Sequence, residues 1–381
     1  METVIEKIVY PGKSLGRLKS KAVFTDEGLP GEVVDVKIIK EKKDYIIAQT
    51  LKIIKNSPRR VKPHCEHYKI CSSYQYIDYP MQVEIKNAQI KEMFMKALGI
   101  DVGERTVKPS PHIWGYRNNA QLHIAWENNS PHLAYHRPDR FDEFVKIDRC
   151  SLLSERMNNA LADALKTLKD KKLYSVDEIL ARESVYTKKI ILNGSDIIEE
   201  NIDARKFFIG PNSFFQVNIP MLKELLADLK TALRLSGRET IADLYCGIGT
   251  FGILLSDKAK KVIAVELSED NLPFLRRNLE INNIENAVVY EGSSEKMIDE
   301  ILRQAPDIAI ADPPRKGIGP EICDKLAGKP PAILVYVSCD PATMVRDLKI
   351  LLSNYKIKNL SCYDFFPQTP HIETMCVLEK I

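Results

Sequence analysis

The chain has 381 residues, 44% hydrophobic and 28% charged, enough apolar material for about two or three domains and too much for a disordered or collagen-like chain. No apolar run approaches the ~18 residues of a membrane span, and the start, Met1-Glu2-Thr3-Val4-Ile5-Glu6-Lys7, lacks the basic-then-apolar pattern of a secretory signal, so a cytoplasmic protein with no membrane partner is expected. The net charge is only +3, but residues 1–70 hold fifteen basic and nine acidic residues, a local excess of +6 that marks either a polyanion contact or a solvated basic face.

The first 55 residues predict short strands at Val4–Val9, Lys21–Phe24, Glu32–Ile39 and Tyr45–Ile54, broken by Pro-Gly at 11–12 and 30–31 and by Asp-Glu-Gly at 26–28. Short strands with such turns suggest a small closed barrel. A basic linker, Pro58-Arg59-Arg60 with Pro63, comes next, then a Cys/His-rich loop over 64–75. Apolar positions at Met81, Ile85, Ala88, Met93, Phe94 and Leu98 predict a helix. Strands near 113–116 and 121–126, a proline-bearing loop at 131–138, a helix near 152–168, and strands at Lys188–Leu192, Asp196–Glu200 and Lys206–Ile209 make an α+β middle region.

Beyond that region strands alternate with helices. Helices are predicted at Pro220–Leu235, Asn271–Asn283 and from Pro341 to Leu352, and strands at Thr240–Leu244, Lys261–Glu266, Ala287–Tyr290, Asp307–Ala311 and Ala332–Ser338. Closing strands lie near Lys356–Cys362 and Glu373–Leu378. The alternation argues an α/β, mostly parallel, doubly wound sheet. Eight cysteines in 381 residues are too dilute for a disulfide scaffold and fit reduced thiols.

The strongest generic signal is Ile241-Ala242-Asp243-Leu244-Tyr245-Cys246-Gly247-Ile248-Gly249-Thr250-Phe251-Gly252, an apolar strand running into a glycine loop where a helix can start. The next strand ends at Glu266, whose carboxylate can accept both hydroxyls of an adenosine ribose. A dinucleotide and S-adenosylmethionine both use such a site, and a purely structural glycine turn is the bland alternative. Asp243, ahead of the glycines, would repel a pyrophosphate yet suits an amino acid or a sulfonium, which favours adenosylmethionine.

Four further segments narrow the reading: Phe214-Phe215-Gln216-Val217-Asn218, Asp312-Pro313-Pro314-Arg315-Lys316-Gly317, Ser338-Cys339-Asp340-Pro341-Ala342-Thr343, and Phe366-Pro367-Gln368-Thr369-Pro370-His371-Ile372-Glu373-Thr374. Together they resemble the RNA uracil-5-methyltransferase family, which makes 5-methyluridine in tRNA or 23S ribosomal RNA. The N-terminal strands and the cysteine loop resemble members carrying an RNA-binding barrel, the TRAM domain. The resemblance implies a TRAM-like barrel over 1–56, a central α+β domain over 57–210 and a Rossmann-like methyltransferase domain over 211–381. It also implies an enzyme that uses S-adenosylmethionine, expected to act as a monomer.

The chemistry explains the residue types. C5 of uracil is too weak a nucleophile to attack a methyl sulfonium unaided. A thiolate adding to C6 moves electron density to C5, and after methylation a base removes the C5 proton so that the thiolate leaves. By resemblance Cys339 is the nucleophile and Glu373 the base. Cys339 lies at a strand end before a helix whose N-terminus favours a thiolate. His371, two residues before Glu373 and on its face if both lie in one strand, is an orienting donor or a neighbour in the proton path. Gln216, Tyr245 and Glu266 match cofactor-contacting positions, and the glycine loop adds Asp243, Gly247 and Gly249 as cofactor-binding residues. Asp312 can accept from uracil N3 or hold the cofactor's methionine end, and Arg315 can stabilise the thiolate or enolate. Phe214 and Phe215 are expected in the core.

Many family members hold a [4Fe–4S] cluster on four cysteines. Cys65, Cys71 and Cys150 match the first, second and fourth, but Tyr74 stands at the third place, with Ser72 and Ser73 where the family has glycines. No metal, a three-cysteine cluster, or zinc completed by His64 or His67 all stay open. For the substrate, the barrel-bearing layout points to 23S ribosomal RNA, with the tRNA T-loop (5-methyluridine 54) as the alternative. A non-catalytic RNA-binding or RNA-folding protein would need disrupted catalytic residues. A DNA amino-methyltransferase would need an aromatic side chain where Arg315 stands.

Overall fold

The computed structural model describes residues 1–103, 107–137, 140–194 and 196–381. Strands β1 (Glu2–Val9), β2 (Lys13–Leu18), β3 (Lys21–Thr25), β4 (Val33–Glu41) and β5 (Tyr45–Lys55) close into a barrel in the order β1-β2-β3-β5-β4. Its interior is Ile5, Val23, Val34, Val36, Ile46 and Ala48, inward residues that alternate with outward ones along β1, β3, β4 and β5. Strand β2 escapes sequence prediction because Lys-Ser-Leu-Gly-Arg-Leu is short, charged and carries a glycine. That glycine is required by a close approach, since a Cβ on Gly16 would lie 2.6 Å from the Val4 carbonyl oxygen.

The barrel is fused to the central region. Ile8 and Leu29 pack with Tyr74, Tyr76, Ile77 and Ile85. Arg60 pairs with Glu27 at 2.5 Å and Glu32 at 2.7 Å, and Arg59 pairs with Asp78 and Glu84. The arginines of the basic linker are therefore paired with carboxylates.

The central region contains α1 (Tyr68–Cys71), α2 (Tyr79–Leu98), β6 (Asn119–Glu127), β7 (Ser130–Arg137), β8 (Arg140–Ile147), α3 (Glu155–Asp170), β9 (Glu178–Glu183), β10 (Ile190–Leu192), β11 (Ile198–Ile202) and β12 (Arg205–Ile209). An antiparallel sheet runs β10-β9-β6-β7-β8, and β11 and β12 form a separate hairpin. Two expectations fail here. Residues 113–116 form no strand, and the proline-bearing segment at 131–137 is strand β7, because Pro131 sits near its start, where a missing N–H is tolerated. Pro138 lies outside the described residues. Helix α2 is capped by Asp78, which accepts from the Met81 N–H at 2.8 Å, and ends at Gly99 in the left-handed region.

The C-terminal region has α4 (Ile219–Leu233), β13 (Thr240–Asp243), α5 (Thr250–Leu255), β14 (Lys261–Glu266), α6 (Leu272–Ile281), β15 (Ala287–Glu291), α7 (Ser294–Arg303), β16 (Ile308–Ala311), α8 (Pro320–Gly328), β17 (Ile333–Ser338), α9 (Pro341–Leu351), β18 (Tyr355–Tyr363) and β19 (Glu373–Lys380). The seven-stranded sheet runs β15-β14-β13-β16-β17-β19-β18, with β13–β17 parallel and β19 antiparallel to both its neighbours. Alternate residues feed two apolar layers. Ile241, Ile310, Val335 and Val377 face one, with α4 and α5, while Ala242, Ala309, Leu334 and Leu378 face the other, with α7, α8 and α9. Helix α2 contributes Ile90 and Phe94 to that second layer.

Helix α2 also grips the loop between β18 and β19. Lys86 and Asp364, both fully buried, pair at 2.6 Å, and Lys86 donates to the Phe366 carbonyl at 3.3 Å. Gln82 accepts from the Gln368 N–H at 3.0 Å and donates to its side-chain oxygen at 2.9 Å.

Candidate active site

Parallel strands end together at one edge of the sheet. There β13 delivers Asp243, β14 Glu266, β16 the loop from Asp312, and β17 Cys339. The order of strands reverses at β13, where β14 goes to one side and β16 to the other, and such a switch point leaves a crevice. Because β19 runs the other way, its first residue arrives at the same edge. Ser338 of β17 pairs with Thr374 of β19, so one step beyond the ladder Cys339 stands opposite Glu373. A cavity of about 640 Å³ opens there, a size suited to a cofactor and a base.

One end of the cavity is built for an adenosine-like group. Glu266 accepts from the N–H of Gly247 at 2.7 Å and of Ser268 at 2.7 Å, which fixes its carboxylate at the wall. Gly247 has φ +57° and lets the backbone approach the cavity without a side chain in the way. The Tyr245 hydroxyl is buried with no hydrogen-bond partner within bonding distance among the described residues, and Gln216 donates to Asp312 at 3.4 Å. These unpaired and acceptor-rich positions fit S-adenosylmethionine. Two expected contacts stand back from the cavity. Asp243 is fully buried behind it, accepting from the Gly252 N–H at 3.0 Å, and burial pushes its carboxyl up to about 7. Gly249 caps α5 beneath the loop at φ +93°.

The other end holds Cys339, Glu373, Asp312 and His371. Glu373 is buried, one of its oxygens has no hydrogen-bond partner among the described residues, and burial, then the Asp312 charge, push its carboxyl well above the usual range. Burial raises Asp312 to about 7. The helix-end thiolate expected for Cys339 is not the resting state. Burial and the charges of Glu373 and Asp312 push its thiol up to about 12, outweighing the lowering by Arg315. His371 precedes β19 instead of sharing a strand with Glu373, although both line the cavity. Burial and then Arg315 push its imidazole down to about 4, so it is neutral near pH 7. Arg315 is exposed on a loop tied to α9, where Asp347 accepts from the Ile318 N–H at 2.9 Å.

Several lining residues were not foreseen. Phe214, expected in the core, is 63% exposed and lines the cavity, whereas Phe215 is buried as expected. Ser293 and Ser294, just beyond β15, and Phe366 also line it. The serines could have been inferred from their place after a parallel strand.

The cysteine loop does not assemble a metal centre among the described residues, where no group of three or more His, Cys, Asp or Glu side chains is arranged to hold an ion. Cys65 lies 3.1 Å from the Ser151 hydroxyl; burial opposes its ionisation, but hydrogen bonds from His67, Ser151 and Gln75 bring it down to about 6. Cys71 is pushed up to about 11 by burial. Tyr74 does not stand in for the missing ligand. Its ring is fully buried in the cluster joining barrel to α2, and its hydroxyl accepts from Gln89 at 3.1 Å. The residues present therefore do not supply the fourth cysteine-like ligand of a four-cysteine cluster.

A doubly wound sheet with a carboxylate ending its second strand, and a cysteine beside a carboxylate at the cavity, offers a wall for an adenosyl group next to a thiol and a base. The family model of tRNA (uracil-5-)-methyltransferase matches residues 156–381, and that of the TRAM domain matches residues 2–51. An uncharacterized RNA methyltransferase from Clostridium tetani is 31% identical over 96% of this chain and 93% of its own length. One from Synechocystis is 28% identical over 100% of this chain and 96% of its own. The crystal structure of Pyrococcus abyssi tRNA (uracil-54, C5)-methyltransferase with S-adenosyl-L-homocysteine is 26% identical, with TM-score 0.79, covering 99% of this chain and 100% of that one. The chain belongs to the tRNA (uracil-5-)-methyltransferase family. It is an S-adenosylmethionine-dependent RNA methyltransferase acting at uracil C5, with an RNA-binding TRAM barrel. No helix among the described residues is long and apolar enough to cross a membrane.

Proposed function

We propose that this enzyme methylates C5 of a uridine in tRNA, at the T-loop position named for the Pyrococcus enzyme, through Cys339 as nucleophile and Glu373 as base. What carries the chemical reading is the register that sets Cys339 opposite Glu373 at the cavity. What directs it to tRNA and away from 23S ribosomal RNA is the end-to-end match to a tRNA enzyme, together with the family's own description. Mass mapping of 5-methyluridine with and without the gene should find the loss in tRNA. A loss confined to 23S ribosomal RNA would overturn this.

Bound S-adenosylmethionine supplies an electrophilic methyl group. The protein does the rest. The proton of the Cys339 thiol passes to an ionised carboxylate of the Asp312–Glu373 pair as sulfur bonds to C6. Arg315 and the Gln216 amide face the charge that develops on the ring. Phe214 offers an exposed ring against which a flipped-out base can stack. The accepted proton leaves to solvent, C5 takes the methyl group, and the ionised Glu373 carboxylate then takes the C5 proton as the C6–sulfur bond breaks and the thiolate is released. Lys37 and Lys40 on β4, Lys42 and Lys43 in the turn, and Lys52 and Lys55 on β5 are exposed and form the phosphate-facing side of the barrel.

Glu266→Ala is expected to weaken S-adenosylhomocysteine binding at least about tenfold, since hydrogen bonds to a charged group are worth ~1.5–3 kcal/mol. Calorimetry with unchanged affinity would remove Glu266 from the cofactor site.

A further inference from the structure

The first turn of the barrel reaches the residue next to Cys339. The Tyr10 hydroxyl, just after β1, donates to Asp340 Oδ1 at 3.2 Å, and Asp340 is the neighbour of Cys339. That same oxygen accepts from the Ala342 N–H at 3.0 Å and so caps α9. Short-range bonds shape the turn around Cys339. The Asp340 N–H donates to the Ser338 hydroxyl at 3.1 Å, which donates back to the Asp340 carbonyl at 3.0 Å. On the sheet side, the Thr374 hydroxyl donates to the Ser338 carbonyl at 3.0 Å. Two residues on from Tyr10, a Cβ on Gly12 would lie 2.9 Å from Pro370, the residue before His371. One short segment of the RNA-binding barrel thus rests on the immediate neighbours of two cavity-lining residues, Cys339 and His371.

We propose that Tyr10 is a positioning residue for methyl transfer, fixing the Ser338–Asp340 turn and hence the Cys339 sulfur, so that the seating of the barrel on RNA and the placement of the nucleophile are mechanically linked. This rests on the assignment of Cys339 as nucleophile. Tyr10 is half-buried and touches neither the cavity nor the reacting atoms. Its effect passes through the Asp340 carboxylate. Without the hydroxyl, Asp340 keeps its cap to α9 but loses its tie to the barrel, and the Cys339 sulfur samples positions out of line with C6. A reaction whose geometry must be held within fractions of an ångström responds to that loosening in rate, while ground-state RNA binding is unaffected.

The test uses the full chain and an RNA that the wild type methylates, with 5-fluorouridine at the target. Tyr10→Phe should slow single-turnover adduct formation on that RNA, and lower kcat on the same RNA carrying uridine at the target, by about fivefold, the effect of one hydrogen bond. The KM for RNA and the affinity for S-adenosylhomocysteine should stay within about twofold. Asp340→Ala should slow the same step, and adding Tyr10→Phe to it should cost nothing further, whereas Asp340→Asn, which keeps the accepting oxygen, should retain most of the rate. A Tyr10→Phe enzyme with wild-type kcat, a change in KM alone, or additive losses in the double variant would overturn the coupling. If the wild type forms its adduct on another cysteine, the nucleophile assignment falls and the coupling with it. A wild-type adduct on Cys339 with an unaffected Tyr10→Phe rate refutes the coupling alone.

Discussion

Cys339→Ala should lose methyl transfer by about four orders of magnitude or more while binding S-adenosylhomocysteine nearly as wild type, because the change removes the nucleophile and leaves the cofactor wall intact. Uracil C5 has no other route to the methyl group, so no partial activity is expected. The thiol is pushed up to about 12 in the resting site, which makes the residue inert toward alkylating reagents until a carboxylate accepts its proton. Iodoacetamide should therefore modify the free enzyme slowly at this position. Mass spectrometry of denatured, nuclease-treated protein is the decisive measurement. An adduct on Cys246 would overturn the assignment. That thiol is buried among Ala264 and Leu275 under the glycine loop, burial raises it well above the ordinary thiol range, and it stands outside the cavity lining.

Glu373→Gln should stop the reaction one step later. Addition and methylation proceed, but a neutral amide cannot take the C5 proton, so the methylated base stays joined to Cys339 and turnover falls by about two to four orders of magnitude. The trapped species should carry the transferred methyl, and a 5-fluorouridine substrate should trap the wild type at the same point. The pH dependence has a definite sign. Glu373 is held well above the ordinary carboxylate range by burial and Asp312, and only its ionised form is a base. Wild-type kcat should rise with pH through that raised value and fall below it. The rate of adduct accumulation in Glu373→Gln should lose the part of this dependence that belongs to elimination. A variant that turns over at the wild-type rate, with no adduct, would place the base elsewhere.

The parallel strands were readable because strands buried on both faces are continuous apolar runs, such as Val262-Ile263-Ala264-Val265 in β14 and Ile333–Val337 in β17. Strands β8 and β9 were not, since Arg140–Ile147 and Glu178–Glu183 mix charge into every second or third place and become strands through their neighbours in the sheet. Helix α7 left a signal that went unused. Ser293 accepts from the Lys296 N–H at its N-terminus, and Ile298, Ile301 and Leu302 lie on one buried stripe. In the site, the cysteine, the carboxylates and the glycine loop were visible as local patterns. The exposure of Phe214, the withdrawal of Asp243 behind the loop and the raised Cys339 thiol depend on burial, which no local pattern carries. The contact between Tyr10 and Asp340 joins residues 330 positions apart and has no trace in the sequence.

The Lys86–Asp364 pair constrains how this chain can vary. Both side chains are wholly enclosed, so neutralising either one strands the other charge in an apolar layer, at about 3–5 kcal/mol. That is a large part of a typical domain's stability. Replacing both by apolar residues of similar volume is a far smaller step. The two positions thus form an evolutionary lock. A lineage leaves it by a double change or through a compensated intermediate, and while it holds, the loop carrying Phe366 and His371 cannot drift independently of α2.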